Sequence, residues 1–156
     1  MPGQPVTEEI LAQVRAHAEE AYPEECCGLV FDAGTLRCVN ALSGTEAARS
    51  AFRPSDADQL LLARSLDSDR PARALYHSHV DTPPARGAYL SARDVSGASW
   101  GGRVLHPGLL HLVVSVRRGR AAEAALFRLE DGGIARVVAA FPAPQRRDSS
   151  AWPIIE

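Results

Sequence analysis

Apolar residues recur at helical spacing at Ile10, Leu11, Val14, Ala18 and Ala21, which predicts an amphipathic helix from Thr7 to about Tyr22. Thr7 is placed to cap it, Glu8 and Glu9 suit its positive end, and Pro23 stops it. After that the period shortens. Cys26 to Phe31 reads as a buried strand, followed by an Ala33-Gly34 turn and a second strand through Leu36 and Val39. Residues 41–50 are polar and small, a loop. Ser55-x-x-Asp58 resembles a capping box opening a short helix through Leu60, Leu61, Leu62 and Leu66. Arg73 to His79 is a third strand, buried around Ala74, Leu75 and Tyr76. Pro83, Pro84 and Gly87 make the next stretch rich in turns, and Ser91 to Trp100 reads as a short helix stopped by Gly101-Gly102. Three more strands follow: Leu109 to Val116, Ala121 to Leu129 across an Arg-Arg-Gly-Arg turn, and Ile134 to Ala140. The alternation predicts an α/β fold, one mixed β-sheet flanked by helices. A single domain is expected over residues 1–141, with a Pro- and Arg-rich tail, 142–156, either disordered or docked through Trp152 to Ile155.

Composition narrows the class. A chain of 156 residues that is 46% hydrophobic and 23% charged suits one globular domain with a real core. Its net charge of −2 offers nucleic acid or an anionic membrane no general attraction. No apolar run approaches the ~20 residues that span a bilayer. The opening MPGQPVTEE lacks the basic and apolar regions of a secretory signal. Three cysteines, Cys26, Cys27 and Cys38, show no C-x-x-C spacing. A cytoplasmic, reduced protein is the expectation.

The candidate chemistry centres on the third strand. His77 and His79 stand two apart, so on an extended chain both imidazoles face the same side. Downstream, Ser91-x-x-Asp94 lies at a helix start, and Asp94 can add an oxygen ligand. Two nitrogens, one oxygen and a water make the open tetrahedral site of a catalytic zinc. Upstream, Glu24 and Glu25 enter a buried strand, where a carboxylate needs a partner or must neutralise. Glu25 either points inward to such a site or shares a solvated strand end with Glu24. Cys26 and Cys27 read as small core residues, His17 as a surface or packing residue, and His106 as a loop residue. His111, mid-strand, reads as a satisfied core or surface histidine.

An upstream Glu, His-Ser-His and Ser-x-x-Asp together resemble the signature of the JAMM (MPN+) metallopeptidases. PEECCGLVF, YHSHVD, GAYLSARD, LHPGLLHLVVSV and EAALFRLEDGG are similar to the short bacterial branch of that family, over most of residues 6–138. The resemblance implies an MPN fold, a three-layer architecture like that of cytidine deaminases. It implies that His77, His79 and Asp94 hold Zn2+, that Glu25 is the general base, and that Ser91 steadies the oxyanion. Ser91 can equally serve only as a helix cap. Ser78, facing the other way, is a packing residue. One departure stands out: fourteen residues separate His79 from Asp94, more than in the family signature, so TPPAR reads as an insertion that alters substrate access.

Members of the family cleave after the C-terminal Gly of ubiquitin, ubiquitin-like or sulfur-carrier proteins. The expected activity is therefore that of a zinc isopeptidase or peptidase acting on such a Gly-Gly tail, laid along a sheet edge. Two other readings fit the family or the site: a non-catalytic interaction scaffold, and a zinc hydrolase of small peptides. A zinc deaminase is excluded by the lack of a P-C-x-x-C ligand pair.

Overall fold

The computed structural model describes residues 3–145. The tail beyond, including the Trp152 to Ile155 patch, lies outside the described residues. Helix α1 (Glu8–Ala21) begins where Thr7 Oγ1 accepts from Ile10 N, and it buries Ile10, Leu11, Val14 and Ala18. Strands β1 (Cys27–Phe31) and β2 (Gly34–Cys38) form a hairpin. Then come α2 (Asp56–Leu66), β3 (Ala74–Val80), α3 (Ala92–Gly97), β4 (Ser99–Trp100), β5 (Arg103–Val104), β6 (Leu110–Arg117), β7 (Arg120–Glu130) and β8 (Ile134–Phe141).

Six strands form one mixed sheet in the order β2-β1-β3-β6-β7-β8. Only the β3–β6 pair is parallel, and its crossover carries α3 and the small β4–β5 hairpin. The expected α/β fold with helices on a mixed sheet is therefore present. One cluster joins α1 to Val30, Ala74, Tyr76, Leu112, Val114 and Leu126. The opposite face carries two smaller clusters. Around Cys27, Leu29 and Leu109 lie Phe52, from the stretch before α2, and Leu62 of α2. Around Val113, Ala125 and Phe127 lie Ala88 and Leu90 from the loop before α3. The sheet is thus the middle of three layers.

The expectation for Ser91 to Gly102 needs correction. The helix expected over Ser91 to Trp100 ends at Gly97, and Ser99 and Trp100 form a strand instead. Gly101 and Gly102 do not stop a helix: both adopt positive φ, 57° and 80°, in the tight turn joining β4 to β5. Two consecutive residues with φ > 0 suit a tight hairpin turn, which glycine enters without steric cost. In α2 no residue is buried, and Leu60 and Leu61 face outward. Its leucines cover more of the circumference than the sheet can accept, so only one side packs.

Candidate metal centre

Strand β3 sorts its side chains by parity. Ala74 and Tyr76 enter the core under α1, whereas Leu75 packs in the opposite layer. His77 and His79 therefore emerge on the side opposite α1, in the gap between its two apolar clusters. Both are buried. Ser78 turns the other way, and its Oγ accepts from Cys26 N at 2.8 Å, the packing role expected of it.

Helix α3 delivers the third group. Ser91 Oγ accepts from Asp94 N at 3.0 Å, and Asp94 Oδ2 accepts from Ser91 N at 2.9 Å. This reciprocal box holds Asp94 in one orientation. The same Oδ2 lies 3.0 Å from His77 Nε2 and 3.1 Å from His79 Nε2, and the two nitrogens are 3.1 Å apart. The TPPAR stretch leaves this convergence intact. Arg117 Nε donates to Thr82 O at 2.9 Å, and Arg86 lies over the Tyr89 ring, 5.0 Å from its centre. Tyr89 in turn sets its edge against His79, with ring centres 4.7 Å apart. Phe52 stacks on His77 at 4.4 Å.

Three electron-rich atoms at these separations need positive charge among them. At most one proton fits between the two nitrogens, and burial disfavours a charged His77, lowering its pKa. Burial alone would raise the Asp94 carboxyl, yet its closeness to both imidazoles and the Ser91 N–H holds it well below the usual range. A divalent cation satisfies all three atoms together. Zinc bonds of 2.0–2.1 Å in a tetrahedron put ligands about 3.3 Å apart, close to the separations here. The donor set fits the ion.

Glu24 and Glu25 part company. Glu24 is solvated and accepts from Ser43 Oγ and Gly44 N. Glu25 is buried, its main chain held by Ala48 O and by Asn40 Nδ2. One of its carboxylate oxygens lies within 4.8 Å of the nearest imidazole nitrogens of both histidines. Burial, reinforced by the Asp94 charge and opposed by Arg93, pushes its carboxyl up to about 8. Both carboxylates thus lie at the histidine pair: Asp94 Oδ2 within hydrogen-bond distance of both imidazoles, and a Glu25 oxygen within 4.8 Å of both.

The structure brings Glu25, His77, His79, Ser91 and Asp94 to one place. Three contributors were missing from the sequence reading: Phe52 and Tyr89 as the walls, and Arg93 beside Glu25. Nothing in their local spacing marks them. His111 is buried, as a core histidine would be, and it lines a cavity beside His77. Period-two alternation from Val113 would have placed it on this face once the β3–β6 register was known.

A mixed sheet bearing a buried Glu-His-His cluster fits a JAMM-like hydrolase. The chain belongs to the family of prokaryotic homologs of the JAB domain, whose model matches residues 7–130. Two solved structures are similar to it. A protein from Desulfitobacterium hafniense has a TM-score of 0.61 at 22% identity, with 84% of this chain and 86% of that chain covered. A protein from Salinibacter ruber has a TM-score of 0.51 at 26% identity, with 96% and 95% covered. No curated protein matches the chain. Among the described residues no helix is long and apolar enough to cross a membrane.

Proposed function

We propose that the protein is a zinc-dependent peptidase or isopeptidase that cleaves after the C-terminal Gly of a ubiquitin-like or sulfur-carrier protein. One observation carries this reading: Asp94 Oδ2 meets both His77 and His79 while a buried Glu25 carboxylate lies within 4.8 Å of the same imidazoles. His77, His79 and Asp94 would hold the ion, which supplies Lewis acidity for an amide carbonyl and lowers the pKa of a water to ~7.

The protein's own groups do the rest. Glu25, buried beside the two histidines, can take a proton from water and return it to the leaving amine, a role worth ~10²–10⁴-fold. Phe52 and Tyr89 hold the imidazoles in place and exclude bulk water from one side of each ring. Ser91 spends its acceptor lone pair on the α3 cap, which leaves its hydroxyl proton free to donate to an oxyanion. The Gly-Gly specificity rests on family membership.

The test is cleavage of Gly-Gly-tailed β-grasp proteins against a panel of short peptides, with wild type and Glu25→Ala at measured zinc content. Cleavage of the carriers by wild type, lost in Glu25→Ala with zinc retained, supports the reading. Cleavage of the short peptides alone replaces it with a small-peptide hydrolase. Zinc uptake without any hydrolysis leaves a scaffold.

A further inference from the structure

Beside His77 and Asp94 opens a cavity of about 600 Å³. Its walls are Phe52, Leu62, Leu75, Leu90, Leu105 and Leu109, with arginines at its margin. Gln59 and His106 line it as well, and such a volume with mostly apolar walls is that of a site for a small molecule or a whole amino-acid side chain. Besides the metal-facing His77, one lining residue is both polar and buried: His111, 6% exposed. Its ring stands at the cavity wall, where an imidazole presents a polar edge to an occupant.

We infer that this cavity receives the leaving group, and that the protein prefers a residue linked through its α-amine and bearing a large aromatic side chain with a polar tip, as in tyrosine, whose hydroxyl bonds His111. The inference rests on the proposed function, because that reading puts glycine on the acyl side of the scissile bond. Glycine has no side chain and cannot fill an apolar chamber. A lysine Nε arrives on a thin, unbranched chain and leaves the walls uncovered. A bulky side chain on the amine side covers them. A neutral imidazole offers one donor and one acceptor nitrogen, and a phenol can answer either.

The experiment uses the zinc-loaded full chain and a β-grasp carrier ending in Gly-Gly. The carrier is joined at its terminal carboxyl to tyrosine, phenylalanine or alanine through the α-amine, or to lysine through Nε. Expected is kcat/KM for tyrosine about ten- to hundredfold above alanine, and about five- to hundredfold above phenylalanine. His111→Leu should bring the tyrosine-to-phenylalanine ratio to one or below with zinc content unchanged. His111→Gln, which keeps a donor and an acceptor, should restore part of the ratio.

Equal cleavage of the alanine or Nε-lysine adducts overturns the inference and leaves the proposed function standing. So does an unchanged tyrosine-to-phenylalanine ratio in both variants. Loss of zinc in His111→Leu makes His111 a support of the ligands and overturns its role in the cavity. Faster cleavage when the acyl-side glycine becomes phenylalanine moves the cavity to the other side of the bond. No cleavage of any Gly-Gly adduct fails the proposed function itself, and this inference with it.

Discussion

The two faces of the sheet are built from the same strands, one residue out of step. Under α1, Tyr76 is fully buried, its hydroxyl meets His17 Nδ1 at 2.6 Å, and its ring fills the space above Gly28. A Cβ on Gly28 would fall on that ring. On the opposite face His77 is as deeply buried, but it looks onto a carboxylate, a second imidazole and a cavity. One face uses burial to close space and pairs the Tyr76 and Ser78 hydroxyls. The other uses burial to leave polar tips facing one another. The first pattern stabilises a fold, and the second stores unsatisfied charge for a ligand.

Substitutions should therefore separate stability from metal binding, and the largest separation is expected at Asp94. Asp94→Ala removes the oxygen shared by both imidazoles. Zinc affinity should fall by more than the ~10–100-fold that loss of an outer partner of a ligand costs. Titration calorimetry with zinc reads this directly. Retention of wild-type affinity would mean that Asp94 is only a cap.

Ser91→Ala sharpens the same division within one residue. As a cap alone, Ser91 is worth ~0.5–2 kcal/mol of stability. As an oxyanion donor it is worth ~10²–10³ in kcat. Denaturation and turnover measured on one preparation should show a loss in both. A stability loss with unchanged kcat leaves capping as its whole role.

On the closed face, Gly28→Ala should cost ~1–3 kcal/mol by overpacking, because the ring it displaces has no free volume. Zinc binding per folded molecule should stay as in wild type. If the variant instead binds zinc weakly while remaining stable, the two faces are not independent.

Much of this division was legible along the chain, and its limits have physical causes. Alternation in Ala74 to His79 put Tyr76 and His77 on opposite faces, and Thr7, Ser55 and Ser91 marked helix starts, all local properties. Asp94 could be matched to the histidines only because a motif stood in for distance. The Ser91 to Trp100 expectation failed where α3 gives way to a two-residue hairpin, since Gly101-Gly102 signals a stop and a turn equally. His111 could be placed on its strand and Phe52 ahead of α2, but not beside His77. Their roles depend on the parallel β3–β6 register and on a loop folding back, and neither leaves a trace in nearby residues.

The smallest expected effect tests whether the closed face stays closed in acid. Burial, helped by the Arg37 charge and opposed by Glu20, pulls the His17 pKa down to about 4. Burial likewise pushes the Tyr76 phenol upward. The phenol is thus the donor and a neutral His17 Nδ1 the acceptor, and a proton on that nitrogen would break the bond. Unfolded, the same imidazole titrates near ~6.5. Between those values the unfolded chain binds a proton that the folded chain refuses, so stability falls as pH drops from about 6.5 toward 4. His17 is partly exposed, so its share is less than ~1.4 kcal/mol per pH unit. His111 shifts in the same direction, which makes the difference between two proteins the useful quantity. His17→Gln keeps an acceptor for Tyr76 and cannot titrate, so its stability should decline less steeply than wild type over this window in urea melts. Parallel curves would mean that His17 is charged in the fold and that the Tyr76 hydroxyl gives its proton elsewhere.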